Sequence, residues 1–317
     1  MSDDEAGSQR WGRKKHGHTR AEIEATVADI EAQVRATNDK INERSGRNLS
    51  MALLIGVGLG LLLLVSLIFI KELFMLFAAG LIAFTAFELA SALRFSGRDV
   101  PRLPTVIAGL AIIPAAFYWG AAGQWLAFLA GVALVSLWRL AEAITPSRRP
   151  ATFRELGRDL AAGAFVQGYV VFLASFAVLL TAQEGGQWWT LAFLVVVISI
   201  DTGAYATGLT FGKHPMAPTI SPKKTWEGFA GSVGAALIAS ILLAIFMLQQ
   251  PWWVGIVIAL TLVVTATLGD LGESLIKRDL GIKDISTWLP GHGGFLDRLD
   301  SVLPSAAAAY GLYLIFG

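Results

Sequence analysis

Nine apolar stretches recur along the chain, at 50–70, 73–93, 104–121, 123–141, 160–182, 188–211, 228–248, 252–276 and 297–316. The hydrocarbon core of a bilayer takes about 20 such residues per helix. The expectation is an all-α polytopic membrane protein of nine spans with a cytosolic-side active site. The fourth stretch begins weakly and the ninth contains Pro304. Charged residues are 15% of the chain, against roughly 25% in soluble domains, so a soluble enzyme or a disordered chain is a poor fit. The net charge of +1 argues against nucleic-acid binding, which usually shows a basic excess. Cysteine is absent, so disulfides, thiolate metal sites and a cysteine nucleophile are excluded.

The charges are unevenly placed. Residues 1–48 form a polar tail with no apolar stretch, so they are not a secretory signal peptide. Ile23, Val27, Ile30, Val34 and Ile41 follow heptad spacing there, and Thr19 with Glu22 has the form of a capping box. The spacing predicts a helix over about 20–44, too short for the three to four heptads of a firm coiled coil. The expected division is therefore a cytosolic tail, 1–48, and a membrane domain, 49–317. Lys and Arg concentrate in cytoplasmic loops. With the tail in the cytosol, alternating spans put every Lys and Arg except Lys71 on that side. Trp188, Trp189, Trp252 and Trp253 fall where an outer aromatic belt belongs. These signals predict an odd number of spans, with the N-terminus inside and the C-terminus outside.

Ionisable residues within a span are costly and usually face a cavity or a partner. Asp201, Asp270, Glu273, Asp297 and Asp300 all fall in or beside apolar runs. By helix rise, Asp201 lies about 20 Å and Asp270 about 25 Å from the outer tryptophans. Several acids therefore gather at one depth, beside the basic loops. Glu88 either joins them or pairs with an Arg of a neighbouring loop. On a helix, Asp270, Glu273, Ser274 and Lys277 share one face, as do Asp297 and Asp300. Gly293 and Gly294 lack a Cβ and let backbone approach a ligand closely. They stand just before a helix, whose N-terminal N–H groups attract anions. Carboxylates without cysteine suit a hard ion such as Mg²⁺, and the surrounding Lys and Arg suit phosphate oxygens. The plainer alternative is that Asp297 and Asp300 only offset a helix dipole. A second basic loop, Ser221-Pro222-Lys223-Lys224-Thr225, lies on the same side.

From Ser274 through Lys277-Arg278, Lys283-Asp284 and His292-Gly293-Gly294 to Asp297-Arg298 and Asp300, the chain resembles the CDP-diacylglycerol synthase (phosphatidate cytidylyltransferase) family. The signature covers 27 residues without a departure. Ser221–Thr225 and Asp201 with Ala204-Tyr205 are also similar to the family; the tail lies outside it. The resemblance implies an enzyme that joins CTP and phosphatidic acid into CDP-diacylglycerol and pyrophosphate for phospholipid biosynthesis. It implies Mg²⁺ held by Asp270, Asp297 and Asp300; a second cation, monovalent or otherwise, is left open. It also implies a homodimer, in a bacterial plasma membrane. Catalysis is expected of Asp270, Asp297, Asp300 and Lys277. Substrate binding is expected of Ser221, Lys223, Lys224, Ser274, Arg278, Lys283, His292, Gly293, Gly294 and Arg298. His292 either meets a phosphate or orders the glycine turn, and Asp201 either holds a cation or orients a lysine. Two rivals remain: a cytidylyltransferase for another lipid phosphate, such as an archaeal ether lipid, and a secondary transporter. The second is disfavoured because charges sit on one side and no internal repeat is evident.

Overall fold

The computed structural model describes residues 49–145, 151–283, 285–286 and 293–317. The helix expected over 20–44, Asp284 and His292 lie outside these residues. The chain divides into two compact units, 1–53 and 54–317, and the second is a bundle of helices.

Helix α1 (Leu49–Phe69) is followed by α2 (Lys71–Phe95), α3 (Arg102–Ala143), α4 (Phe153–Ala182) and α5 (Gly186–Phe211). After a small β-ribbon come α6 (Trp226–Phe246), α7 (Trp252–Asp279), the single turn α8 (Leu296–Leu299) and α9 (Val302–Phe316). Among the described residues, seven helices are long and apolar enough to cross a membrane, with α8 and α9 together forming the last. Their start signals are legible. Thr152 and Glu155 close a reciprocal capping box on α4, and Thr225 accepts from Gly228 N at 3.1 Å to cap α6.

Helix α3 has 42 residues, and a straight helix of that length would run about 63 Å. It does not run straight. Gly120 takes φ 62°, ψ −151°, a backbone conformation open essentially to glycine alone. The two legs fold back on each other there, so that a Cβ on Gly131 would lie 3.0 Å from Ala108 Cβ. The expected stretches 104–121 and 123–141 are these legs. Their outer ends meet again: Asp159 accepts from Arg139 Nη2 at 2.6 Å and from Asp99 N at 2.8 Å.

Two apolar clusters hold the bundle. One joins α2, α3 and α4 around Ile82, Leu89, Ile112 and Val170. The other joins α5, α6, α7 and α9 around Phe193, Val196, Leu262 and Ala306. Some polar side chains inside the bundle pair with one another or with backbone: Gln124 Nε2 donates to Ser175 Oγ (2.8 Å) and Ser240 Oγ to Gly255 O (2.7 Å). Outward positions such as Leu126, Ile198, Ile238 and Leu268 are apolar and exposed, as a lipid-facing surface requires.

Distant loops meet at the two ends of the bundle. At one end Lys71 Nζ donates to Gln183 O (2.8 Å), Tyr313 Oη to Glu184 O (3.0 Å) and Gln250 Nε2 to Phe316 O (2.9 Å). At the other end are the Arg94–Asp99, Arg98–Asp279 and Arg139–Asp159 ion pairs.

The expectation of an all-helical chain needs one correction. Strands β1 (Pro215–Ala217) and β2 (Ser221–Thr225) pair antiparallel between α5 and α6. Glu227 clasps the base of this ribbon, accepting from Lys213 N (3.1 Å) and His214 N (3.2 Å). The segment carries no long alternating pattern, which is why it reads as a loop in the sequence.

Candidate active site

A cavity of about 440 Å³ opens where α5, β2, α6, α7 and the α8–α9 joint converge. Small residues let these elements approach. A Cβ on Gly203 would lie 2.7 Å from Ala235 Cβ, and one on Gly231 would overlap Thr207. Helices α5 and α6 therefore pack backbone to backbone, as membrane helices with small interfacial residues do. Likewise a Cβ on Gly269 would fall on the backbone of Asp300, which draws Asp270 of α7 toward the α8–α9 joint.

Carboxylates and cations alternate along the walls. Asp201, Lys223, Lys224, Asp270, Glu273, Lys277, Asp297, Arg298 and Asp300 all line the cavity. Lys224 pairs with Asp270. Lys277 Nζ bridges Glu273 Oε2 (2.6 Å) and Asp297 Oδ1 (2.9 Å). Asp297 Oδ2 also accepts from Gly294 N at 2.9 Å. Asp300 is buried, and its Oδ1 accepts from Ser301 N (2.7 Å) and Ser301 Oγ (3.2 Å). Ser301 Oγ also reaches Asp201 Oδ2 at 3.5 Å. Seven of the fourteen expected site residues thus meet in one cavity: Lys223, Lys224, Asp270, Lys277, Asp297, Arg298 and Asp300.

Other expected residues stand outside the wall. Ser274 is turned about 100° around α7 from Glu273, and the cavity lies on the Glu273 side. Arg278 is exposed, and its Nε donates to Ile220 O at 3.3 Å, tying α7 to the ribbon. Ser221 begins β2 away from the cavity, and Lys283 is exposed beyond the end of α7. Gly293 has φ 80°, a turn conformation that favours glycine. Gly294 does permit a close approach, but the space a Cβ would need holds the carboxylate of Glu88. Glu88 accepts from Phe295 N (3.2 Å), Leu296 N (2.8 Å) and Ser286 Oγ. Backbone amides and a hydroxyl thus hold this carboxylate, where an arginine was one expectation.

Glu273 is the principal residue that the expected site omits. It is 1% exposed, and its Oε1 has no hydrogen-bond partner among the described residues. Its spacing from Asp270 and Lys277 was the available signal. Tyr205, Thr225, Ser232, Thr267 and Ser301 complete the polar lining; Tyr205 and Thr225 lie in the two upstream segments similar to the family, and nothing in the spacing of the other three marks them.

Among the described residues, no group of three or more acids is gathered closely enough to hold a metal ion as it stands. The donor set nevertheless fits a hard cation. Asp270, Asp297 and Asp300 face one cavity with Asp201, none of its walls offers a thiol, and Glu273 leaves a buried oxygen unengaged. For Asp270 and Asp297 to serve a cation, Lys224 and Lys277 must release them, which frees both amines for anions.

A polytopic helical bundle with such a cavity at one end is a membrane enzyme built for phosphate chemistry. Residues 50–316 match the model of the Cytidylyltransferase family, and the chain belongs to that family. It is 39% identical to the phosphatidate cytidylyltransferase of Mycobacterium bovis over 272 residues, covering 84% of this chain and 89% of that one. The enzyme of the same name from Mycobacterium leprae is 37% identical over 295 residues, covering 91% and 94%. That of Brucella suis is 40% identical over 157 residues, covering 49% and 57%.

Proposed function

We propose that this protein transfers CMP from CTP to phosphatidic acid, releasing pyrophosphate and forming CDP-diacylglycerol for phospholipid biosynthesis. The carrying observation is the cavity that gathers Lys223, Lys224, Lys277 and Arg298 with Asp201, Asp270, Asp297 and Asp300. A phosphatidate oxygen attacks the α-phosphorus of CTP. The α–β phosphoanhydride bond breaks, and its electron pair leaves with pyrophosphate. The nucleophile is already an anion, so no strong base is needed; the obstacle is repulsion between two polyanions. Lys223, Lys224, Lys277 and Arg298 offset that charge. Lys224 and Lys277 are stored in ion pairs until phosphates arrive, which keeps them aimed into the cavity. Asp270, Asp297 and Asp300 would hold Mg²⁺, which would supply Lewis-acid neutralisation of phosphate oxygens; Asp201 would hold a second cation or orient a lysine.

The proposal includes nine spans, with the cavity on the cytosolic side. It is supported by the two legs of α3 and by the Lys71–Gln183 and Gln250–Phe316 contacts at the end away from the cavity. Cytosolic placement follows from the Lys and Arg bias and puts the site where CTP is. A homodimer in a bacterial plasma membrane follows from the resemblance.

The test is purified protein with radiolabelled CTP, phosphatidic acid and Mg²⁺. Label should pass into a lipid product and depend on both substrates. Transfer only to an ether-lipid phosphate would move the assignment to that substrate, and no lipid-linked CMP with either would overturn it.

A further inference from the structure

A second cavity, of about 230 Å³, lies beside the first and is lined only by apolar residues. Its walls include Gly60 of α1, Phe74 of α2, Ala177 of α4, Phe193 of α5, and Leu299 and Val302 of the α8–α9 joint. Two structural continuities tie it to the polar cavity. Leu299 and Val302 flank Asp300 and Ser301, which line the polar cavity, so one short joint separates the two. On α5, Phe193 lines the apolar cavity and Ile200 the polar one. Residues seven apart share a helix face, about 10 Å from one another along the axis. The apolar cavity therefore sits one step farther along the same face, toward the bundle end where Lys71 meets Gln183.

We propose that this crevice receives one acyl chain of the lipid phosphate whose headgroup occupies the polar cavity. The inference rests on the proposed function and adds where the tail goes. An amphiphile bound across the α8–α9 joint has its phosphate among the lysines and its chain on Phe74, Phe193 and Val302. Apolar cavities stay dry and accept apolar guests, and each buried methylene adds to binding. Helix α1 forms one wall through Gly60 and Leu63, so the crevice contributes to chain selection without touching the reacting atoms.

The test narrows the crevice and compares substrates of different chain length. A Cβ on Gly60 meets nothing within 4 Å, so a side chain can start there, and Gly60→Phe adds bulk to the crevice wall. Ala177→Leu narrows the crevice independently from α4. KM is measured for dioleoyl and for dihexanoyl phosphatidate at saturating CTP, with folding checked by thermal unfolding. In at least one folded variant, KM for the dioleoyl substrate should rise about tenfold, equivalent to losing roughly two methylenes of burial. KM for the dihexanoyl substrate and for CTP should change less than about twofold on the same scale. An equal rise for both lipids, or no rise in either folded variant, overturns the acyl site and leaves the crevice to bulk lipid. If the wild-type protein converts neither phosphatidate, the functional reading itself fails, which the unmutated control reveals separately.

Discussion

Asp297 holds Lys277 through one oxygen and the amide of Gly294 through the other. Two readings of it separate experimentally. If it only offsets the α8 helix end, Asp297→Asn costs about 0.3–1 kcal/mol and spares turnover. If it is a Mg²⁺ ligand, the fold survives because Lys277 keeps Glu273 as a partner, while Mg²⁺ affinity falls at least about 10–100-fold, the range seen even for outer-shell changes. CTP-dependent turnover across a Mg²⁺ titration, with melting temperature in metal-free buffer, decides; near-normal turnover at low Mg²⁺ refutes the ligand role. Lys223 and Lys224 differ from each other. Lys223 is exposed on β2, so Lys223→Ala should change stability by no more than about 0.5 kcal/mol. Lys224→Ala also releases Asp270 from its ion pair. The double variant should raise KM for CTP or phosphatidate, and unchanged kinetics would reduce both lysines to markers of topology.

Among the elements, the α5–α6 pair is the most sensitive to substitution. These helices carry Asp201 and, through the ribbon that runs into α6 at Thr225, Lys223 and Lys224. Their separation is set by Gly203 and Gly231, where a Cβ meets Ala235 or Thr207. Gly231→Leu should cost about 1–3 kcal/mol as an overpacked contact and reduce turnover by moving the ribbon away from Asp270. Gly234→Leu is the control on the same helix, because a Cβ there meets nothing within 4 Å. The prediction is checked by thermal unfolding and turnover of the pair, and it fails if both variants behave alike. The Gly120 turn makes a similar point for α3: one residue with positive φ converts an overlong helix into two antiparallel legs.

At the scale of the whole molecule, the meeting of distant loops at opposite bundle ends constrains the topology. If the chain crosses nine times, as proposed, its two termini lie on opposite sides of the membrane. The chain has no cysteine, so single cysteines at Ser8 and Gly317 can be labelled by an impermeant reagent without background. The expected result is labelling of Gly317→Cys from outside intact cells and of Ser8→Cys only after the membrane is opened. Labelling of both from one side would rule out an odd number of spans.

The membrane class, the helical legs and much of the polar site were legible in the sequence, because each depends on local pattern. About 20 apolar residues can only be a helix in lipid, and Lys and Arg mark a side whatever the packing. Asp270, Lys277, Asp297 and Asp300 stood out because charge within an apolar run is rare. Tertiary structure decided which of these charges meet. Lys224 and Asp270 are 46 positions apart and pair only because α7 brings Asp270 to the ribbon. Glu88, 206 positions upstream in the chain, fills the space beside Gly294. Ser274 and Glu273 are neighbours in sequence, yet only Glu273 lines the cavity. Local sequence sets the rotation between successive side chains at about 100°; which side of that rotation faces a partner depends on where the other helices lie.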